Sequence, residues 1–157
     1  MDFGIILKVL GLLLLIESAF MVPSLGISIY YGEYDTAAFI FSIAITAIAG
    51  LPGFIFFKSN KRESISHKEG FMIVGLGWIA ASAFGALPFR FSGVCNSFVD
   101  AYFESTSGFT TTGASIFKEV ENLPHGILLW RSFTHWLGGM GILVFTLALL
   151  PAMGAST

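Results

Sequence analysis

Ser105-Thr106-Ser107-Gly108-Phe109-Thr110-Thr111-Thr112-Gly113-Ala114-Ser115 is an uncharged, hydroxyl-rich run standing between strongly apolar flanks, the most polar segment so flanked. Just before it, Ser97 and Asp100 have the spacing of a capping box, so a helix is expected to start there. Phe98, Tyr102, Ser105 and Phe109 recur at helical spacing, with Asp100 and Glu104 on another face, and Gly108 is a plausible stop. A helix over 97–108 rises about 1.5 Å per residue and covers only about half of a hydrocarbon core. It is too short to span a membrane, but it can enter, stop and let the chain return.

The return would run through Thr110 to Ser115. Non-helical backbone at membrane depth is tolerated only where protein buries it or a watery path runs beside it. Exposed carbonyls on such a path can replace the water around a dehydrated cation. Gly113, after three threonines, suits a turn whose dihedrals a β-carbon penalises. The carbonyl end of the preceding helix is negative and favours a cation in front of it. A Ser/Thr/Gly-rich surface loop has the same composition; the hydrophobic flanks favour the pore loop.

The flanks dominate the composition. Of 157 residues, 55% are hydrophobic and 11% charged, and the mean hydropathy is +0.81. Soluble domains carry about a quarter charged residues, so this chain reads as an all-α membrane protein. A net charge of −2 and the lack of a basic stripe exclude nucleic acid as a partner. The lone Cys95 allows neither an internal disulfide nor a cysteine metal site, and no cofactor is expected.

Outward from the loop, residues 1–62 read as a transmembrane helix pair and 63–157 as a helix–pore loop–helix unit. The first apolar segment, about Phe3 to Tyr30, is too long for a signal core. Within it Lys8 can snorkel, whereas Glu17 lies at depth and is expected to be neutralised against a neighbouring helix. Tyr30, Tyr31 and Tyr34 form an aromatic belt at a turn with Glu33 and Asp35 and no Lys or Arg. Thr36 to Phe57 is 22 uncharged residues, with Gly50, Pro52 and Gly53 suggesting a kink or an early end. Lys58, Lys61, Arg62 and Lys68 then make the most basic loop, placed in the cytoplasm by the positive-inside rule. Ser66 and Glu69 repeat the capping-box spacing, opening a helix over about 66–89. The loop over 109–115 enters from the outer face, Pro124 suits a first helical turn, and a last helix over about 123–150 brings both termini to the cytoplasm.

No catalytic set emerges. His67, His125 and His135 lack metal-ligand spacing, and Ser132 and His135 have no acid placed to orient them, so an intramembrane enzyme is the weakest reading. Gly138, Gly139 and Gly141 suit close helix packing. Arg131 lies about two turns into the last helix, where a lone charge is costly, and Glu104 or Asp100 is its natural partner as a strut behind the loop.

Asp100 to Ser105 followed by Ser107 to Ser115 resembles the first pore loop of the Trk/Ktr/HKT superfamily of potassium transporters. Trp130-Arg131-Ser132 and Trp136 to Ile142 resemble the helix that follows it in the bacterial Trk branch, and the likeness is strong over residues 66 to 151. The resemblance implies a potassium filter with K+ at Thr111, Thr112 and Gly113, flanked by Thr110 and Ala114, with Ser107 and Ser115 outside the core. In relatives, serine at the position of Gly113 goes with sodium permeation. It also implies an inner-membrane protein with a cytosolic nucleotide-binding regulatory subunit as partner, besides membrane lipid. Sodium or proton coupling stays open. A ring of carbonyls needs about four loops, and only one is found here. The others would come from further repeats, which the extra N-terminal hairpin favours, or from identical subunits. The alternative function is a non-conducting structural or assembly piece.

Overall fold

The computed structural model describes residues 3–56 and 67–149, which form six α-helices and one 3-10 turn: α1 (Phe3–Tyr31), α2 (Thr36–Phe56), α3 (His67–Gly85), α4 (Leu87–Phe91), α5 (Phe98–Phe109), the turn Val120–Asn122, and α6 (His125–Leu149). Lys58, Lys61, Arg62 and the cap residue Ser66 lie outside the described residues. Lipid offers the backbone no hydrogen bonds, so each long apolar stretch closes its own as helix. Three segments among the described residues are long and apolar enough to cross a membrane: Phe3–Tyr31, Thr36–Ile55 and Lys68–Phe91. At 25 residues α6 has the length of a fourth.

The early end suggested for the second helix near Gly50 is absent. α2 continues through Pro52 to Phe56, and its glycines serve packing instead. A Cβ on Gly11 of α1 would lie 2.6 Å from the Gly50 carbonyl oxygen, one on Gly50 would lie 2.8 Å from the Gly11 oxygen, and one on Gly53 would overlap the Leu7 carbonyl. Backbone touches backbone here, the approach that small residues permit between membrane helices.

The helix expected over 66–89 is two pieces. Pro88 has no N–H to offer the carbonyl four residues back, and its ring crowds that turn. α3 therefore ends at Gly85, and α4 restarts with Pro88 in its first turn. The Gly85 carbonyl at the joint accepts from Trp130 Nε1 at 2.9 Å. Trp130, Phe89, Phe109, Phe39 and Met21 make the centre of a core shared by helices from both halves of the chain.

The last helix starts at His125, two residues later than expected, because the Pro124 carbonyl accepts the first helical bond from Leu128 at 2.9 Å.

Candidate functional site

α5 opens as its sequence predicts: Ser97 is extended and its hydroxyl accepts the Asp100 amide at 3.1 Å. Twelve residues make it about 18 Å long, well short of a crossing.

Its end differs from expectation. Gly108 does not stop the helix but lies inside it, where a Cβ would overlap Thr134 of α6. The helix runs on to Phe109 and closes with two bonds, Thr111 N to Gly108 O at 2.9 Å and Thr112 N to Ser107 O at 3.0 Å. That is a Schellman ending, which requires a left-handed residue just past the cap. Thr111 fills that place at φ 55, the only non-glycine with positive φ among the described residues. For a β-branched residue this is a strained conformation. Gly113 takes φ 78 two residues later.

The returning limb is tied to α5 at two levels. The Ser107 hydroxyl donates to the Ala114 carbonyl at 2.5 Å. Glu104, fully buried, accepts the Ser115 hydroxyl at 3.0 and 3.1 Å, the Ile116 amide at 3.1 Å and Arg131 Nε at 2.7 Å. Glu104 is thus the partner of Arg131, and Asp100 is not. Ser107 and Ser115, expected outside the carbonyl core, tie the returning limb to α5.

Between these ties Thr110 to Gly113 are exposed, and none of their carbonyls accepts a hydrogen bond among the described residues. Thr110 Oγ1 instead bonds the Thr106 carbonyl at 2.7 Å and Thr112 Oγ1 at 2.8 Å. Behind the loop, a Cβ on Gly138 would overlap the Phe109 carbonyl, so α6 touches the backbone where the loop begins. Gly139 and Gly141 have more room, their nearest neighbours being Thr111 Cγ2 at 4.0 Å and the Trp78 ring at 3.4 Å. Ser132 and His135 bond carbonyls of their own helix, at Leu128 and Arg131.

A second carboxylate site joins the α1–α2 turn to the start of α6. Glu33 bonds His125 Nδ1 at 2.7 Å and the Gly126 amide at 3.4 Å, and Tyr31 stacks on the His125 ring at 4.1 Å. Burial pushes Glu33 up, but the bonds from His125 and Gly126 outweigh it and hold the carboxyl below its ordinary value. Cys95 is buried and its thiol is pushed up to about 12, chiefly by burial; at that value it stays protonated and inert.

A half-length helix, a strained turn and a loop of bare carbonyls strapped to the next helix make a helix–pore loop–helix unit of a membrane protein. A family model described as TrkH, cation transport protein, matches residues 35–157, and the chain belongs to that family. It is 39% identical to the Trk system potassium uptake protein TrkH of Halomonas elongata and 41% identical to that of Salmonella typhimurium, each over 98% of this chain. The crystal structure of the potassium transporter TrkH from Vibrio parahaemolyticus superposes with a TM-score of 0.89 over 96% of the chain at 34% identity. The chain spans 32% of the length of each of these relatives.

Proposed function

We propose that the complete transporter to which these residues contribute takes up potassium through a ring of backbone carbonyls, with K+ held at Thr111, Thr112 and Gly113 and with Thr110 and Ala114 flanking. The observation that carries this reading is the row of unpartnered carbonyls from Thr110 to Gly113 on a loop anchored at both ends. A dehydrated cation needs oxygen ligands fixed in place, and buried ties to Glu104 and Ser107 fix them without occupying them. Three more loops, from further repeats or identical subunits, complete the ring. Residues 63–157 act as the conducting unit and 1–62 as a peripheral hairpin in the inner membrane, with the basic 58–69 loop and both termini in the cytoplasm. A cytosolic nucleotide-binding subunit would dock on that side. Relatives that bear the name of potassium uptake proteins support the choice of ion.

The test is potassium and sodium uptake by the complete transporter in one cell background. Gly113→Ser should retain flux while lowering the potassium-to-sodium ratio by about tenfold, a change of about 1.4 kcal/mol in discrimination. Lys118→Gln, exposed and away from the ties, is the control. An unchanged ratio in Gly113→Ser would place the filter elsewhere.

A further inference from the structure

Glu17 sits near the middle of α1, 3% exposed, with both carboxyl oxygens buried and without a hydrogen-bond partner. The neighbouring helix expected to neutralise it supplies no hydrogen bond. Ser105, on the pore helix α5, is also fully buried with an unpartnered hydroxyl. The two groups meet at Gly85, the last residue of α3: a Cβ there would lie 2.9 Å from Glu17 Oε1 and 2.7 Å from Ser105 Oγ. The same point is 2.7 Å from Cε2 of Phe109, the last residue of α5. Only a residue without a side chain lets a carboxyl from α1 and a hydroxyl from α5 converge across α3.

The surroundings leave few other partners. Glu17 borders a half-open cavity of about 390 Å³ whose walls are otherwise apolar, among them Leu13, Ile73, Trp78 and Leu137. The unpartnered oxygens of Glu17 and Ser105 have essentially no surface, so a distant part of a longer chain cannot reach them without repacking. Buried polar groups left unpaired are costly, which favours a side-chain rotation that lets the two pair.

We propose that Glu17 is a positioning residue for the pore helix: a side-chain rotation at Glu17 or Ser105, which no hydrogen bond joins here, brings the hydroxyl onto the carboxyl across the bare Cα of Gly85. This rests on the potassium-uptake reading for its consequence. Ser105 adjoins Glu104 and lies two residues before Ser107, the two groups that hold the returning limb. Fixing Ser105 therefore fixes the base of both ties. A residue of the peripheral hairpin, outside the helix–pore loop–helix unit, thereby sets how firmly the filter carbonyls are aimed.

The experiment is a double-mutant cycle in the complete transporter with Glu17→Leu, Ser105→Ala and the pair, alongside Glu17→Gln, which keeps an acceptor oxygen. Two readouts are taken: the potassium-to-sodium uptake ratio, and amide hydrogen exchange over residues 105–112 of the purified protein. Glu17→Leu and Ser105→Ala should each lower the ratio by about threefold to tenfold, with the pair no worse than the larger single effect. Both should speed exchange over 105–112, while Glu17→Gln leaves ratio and exchange near wild type. Exchange reads the link even in a protein that moves no potassium, so a failed ion assignment and a failed link give different results. Additive effects, unchanged exchange in Glu17→Leu, or Glu17→Gln as damaging as Glu17→Leu would each overturn the proposal. Should Glu17→Leu fail to fold, Ser105→Ala with unchanged exchange overturns it equally.

Discussion

At the end of α1 the amides of Gly32 and Glu33 donate to the carbonyls of Ile29 and Ser28, at 3.1 and 3.0 Å; at the end of α5 those of Thr111 and Thr112 donate to Gly108 and Ser107, at 2.9 and 3.0 Å. The bond pattern is the same, and so is the left-handed residue past the cap, φ 66 at Gly32 and φ 55 at Thr111. Each turn also depends on a glutamate that reaches α6, Glu33 to His125 and Glu104 to Arg131. What differs is residue type and burial. The α1 turn uses glycine and a carboxylate tied to a half-exposed histidine; the α5 turn uses a β-branched residue and a carboxylate sealed from solvent. Glycine is the unstrained choice for such a place. A β-branched residue has fewer backbone conformations open to it than glycine, so the α5 turn is the more strained of the two.

The largest effect that can break this contrast is at the buried tie. Arg131→Ala should destabilise the protein by about 3–5 kcal/mol, since it leaves Glu104 buried and unpaired. His125→Ala, at the half-exposed tie, should cost less than about 1 kcal/mol. Denaturation of the purified protein measures both, and equal losses would erase the distinction. Glu104→Gln combined with Arg131→Met should recover part of the first loss; strict additivity would mean the two side chains do not act together.

Exchanging the turn residues sharpens the contrast at a smaller scale. Gly32→Thr should destabilise by about 1–2 kcal/mol, because strain enters a turn that has none. Thr111→Gly should stabilise or stay neutral while lowering the potassium-to-sodium uptake ratio. A Thr111→Gly protein that is less stable and equally selective would show that the threonine serves packing rather than aim.

The smallest effect is acidic. Because Glu33 is held below its ordinary value of 4.5, its contribution to stability is complete above that value and lost as pH falls through the lower folded one. Glu33→Gln should flatten that part of the acid limb of the stability curve and leave neutral pH little changed.

Much of the pore unit was legible because local chemistry wrote it. The Ser97 cap, the length of α5 and the need of Arg131 for a carboxylate follow from spacing and from the cost of charge at depth. The conformation of Thr111 was not, because three consecutive threonines look alike until the helix end is known. That end is set by α6: Gly108 is consumed by the approach of Thr134, so the helix passes it and the left-handed place falls on Thr111. Gly50 and Gly53 misled for the same reason. In sequence they read as breakers beside Pro52, whereas their role appears only when Gly11 of another helix lies against them. Ser107 and Ser115 looked interchangeable with other loop hydroxyls, since their acceptors lie seven and eleven residues away.

The pair Glu104 and Arg131 also bears on how this chain enters a bilayer. Arg131 is the seventh residue of α6, about 9 Å from its start, and Glu104 lies in the second turn of a helix too short to cross alone. Inserted by itself, a helix is penalised by about 2.5–3.5 kcal/mol on translocon scales for an arginine at its centre, and by less for one about 9 Å from its end, as here. α6 is therefore a better membrane segment once α5 arrives with its carboxylate, and α5, too short to cross, gains a place in lipid when α6 shields it. Insertion of the two together is favoured, so the ion pair that braces the loop in the finished protein also couples the insertion of its two helices.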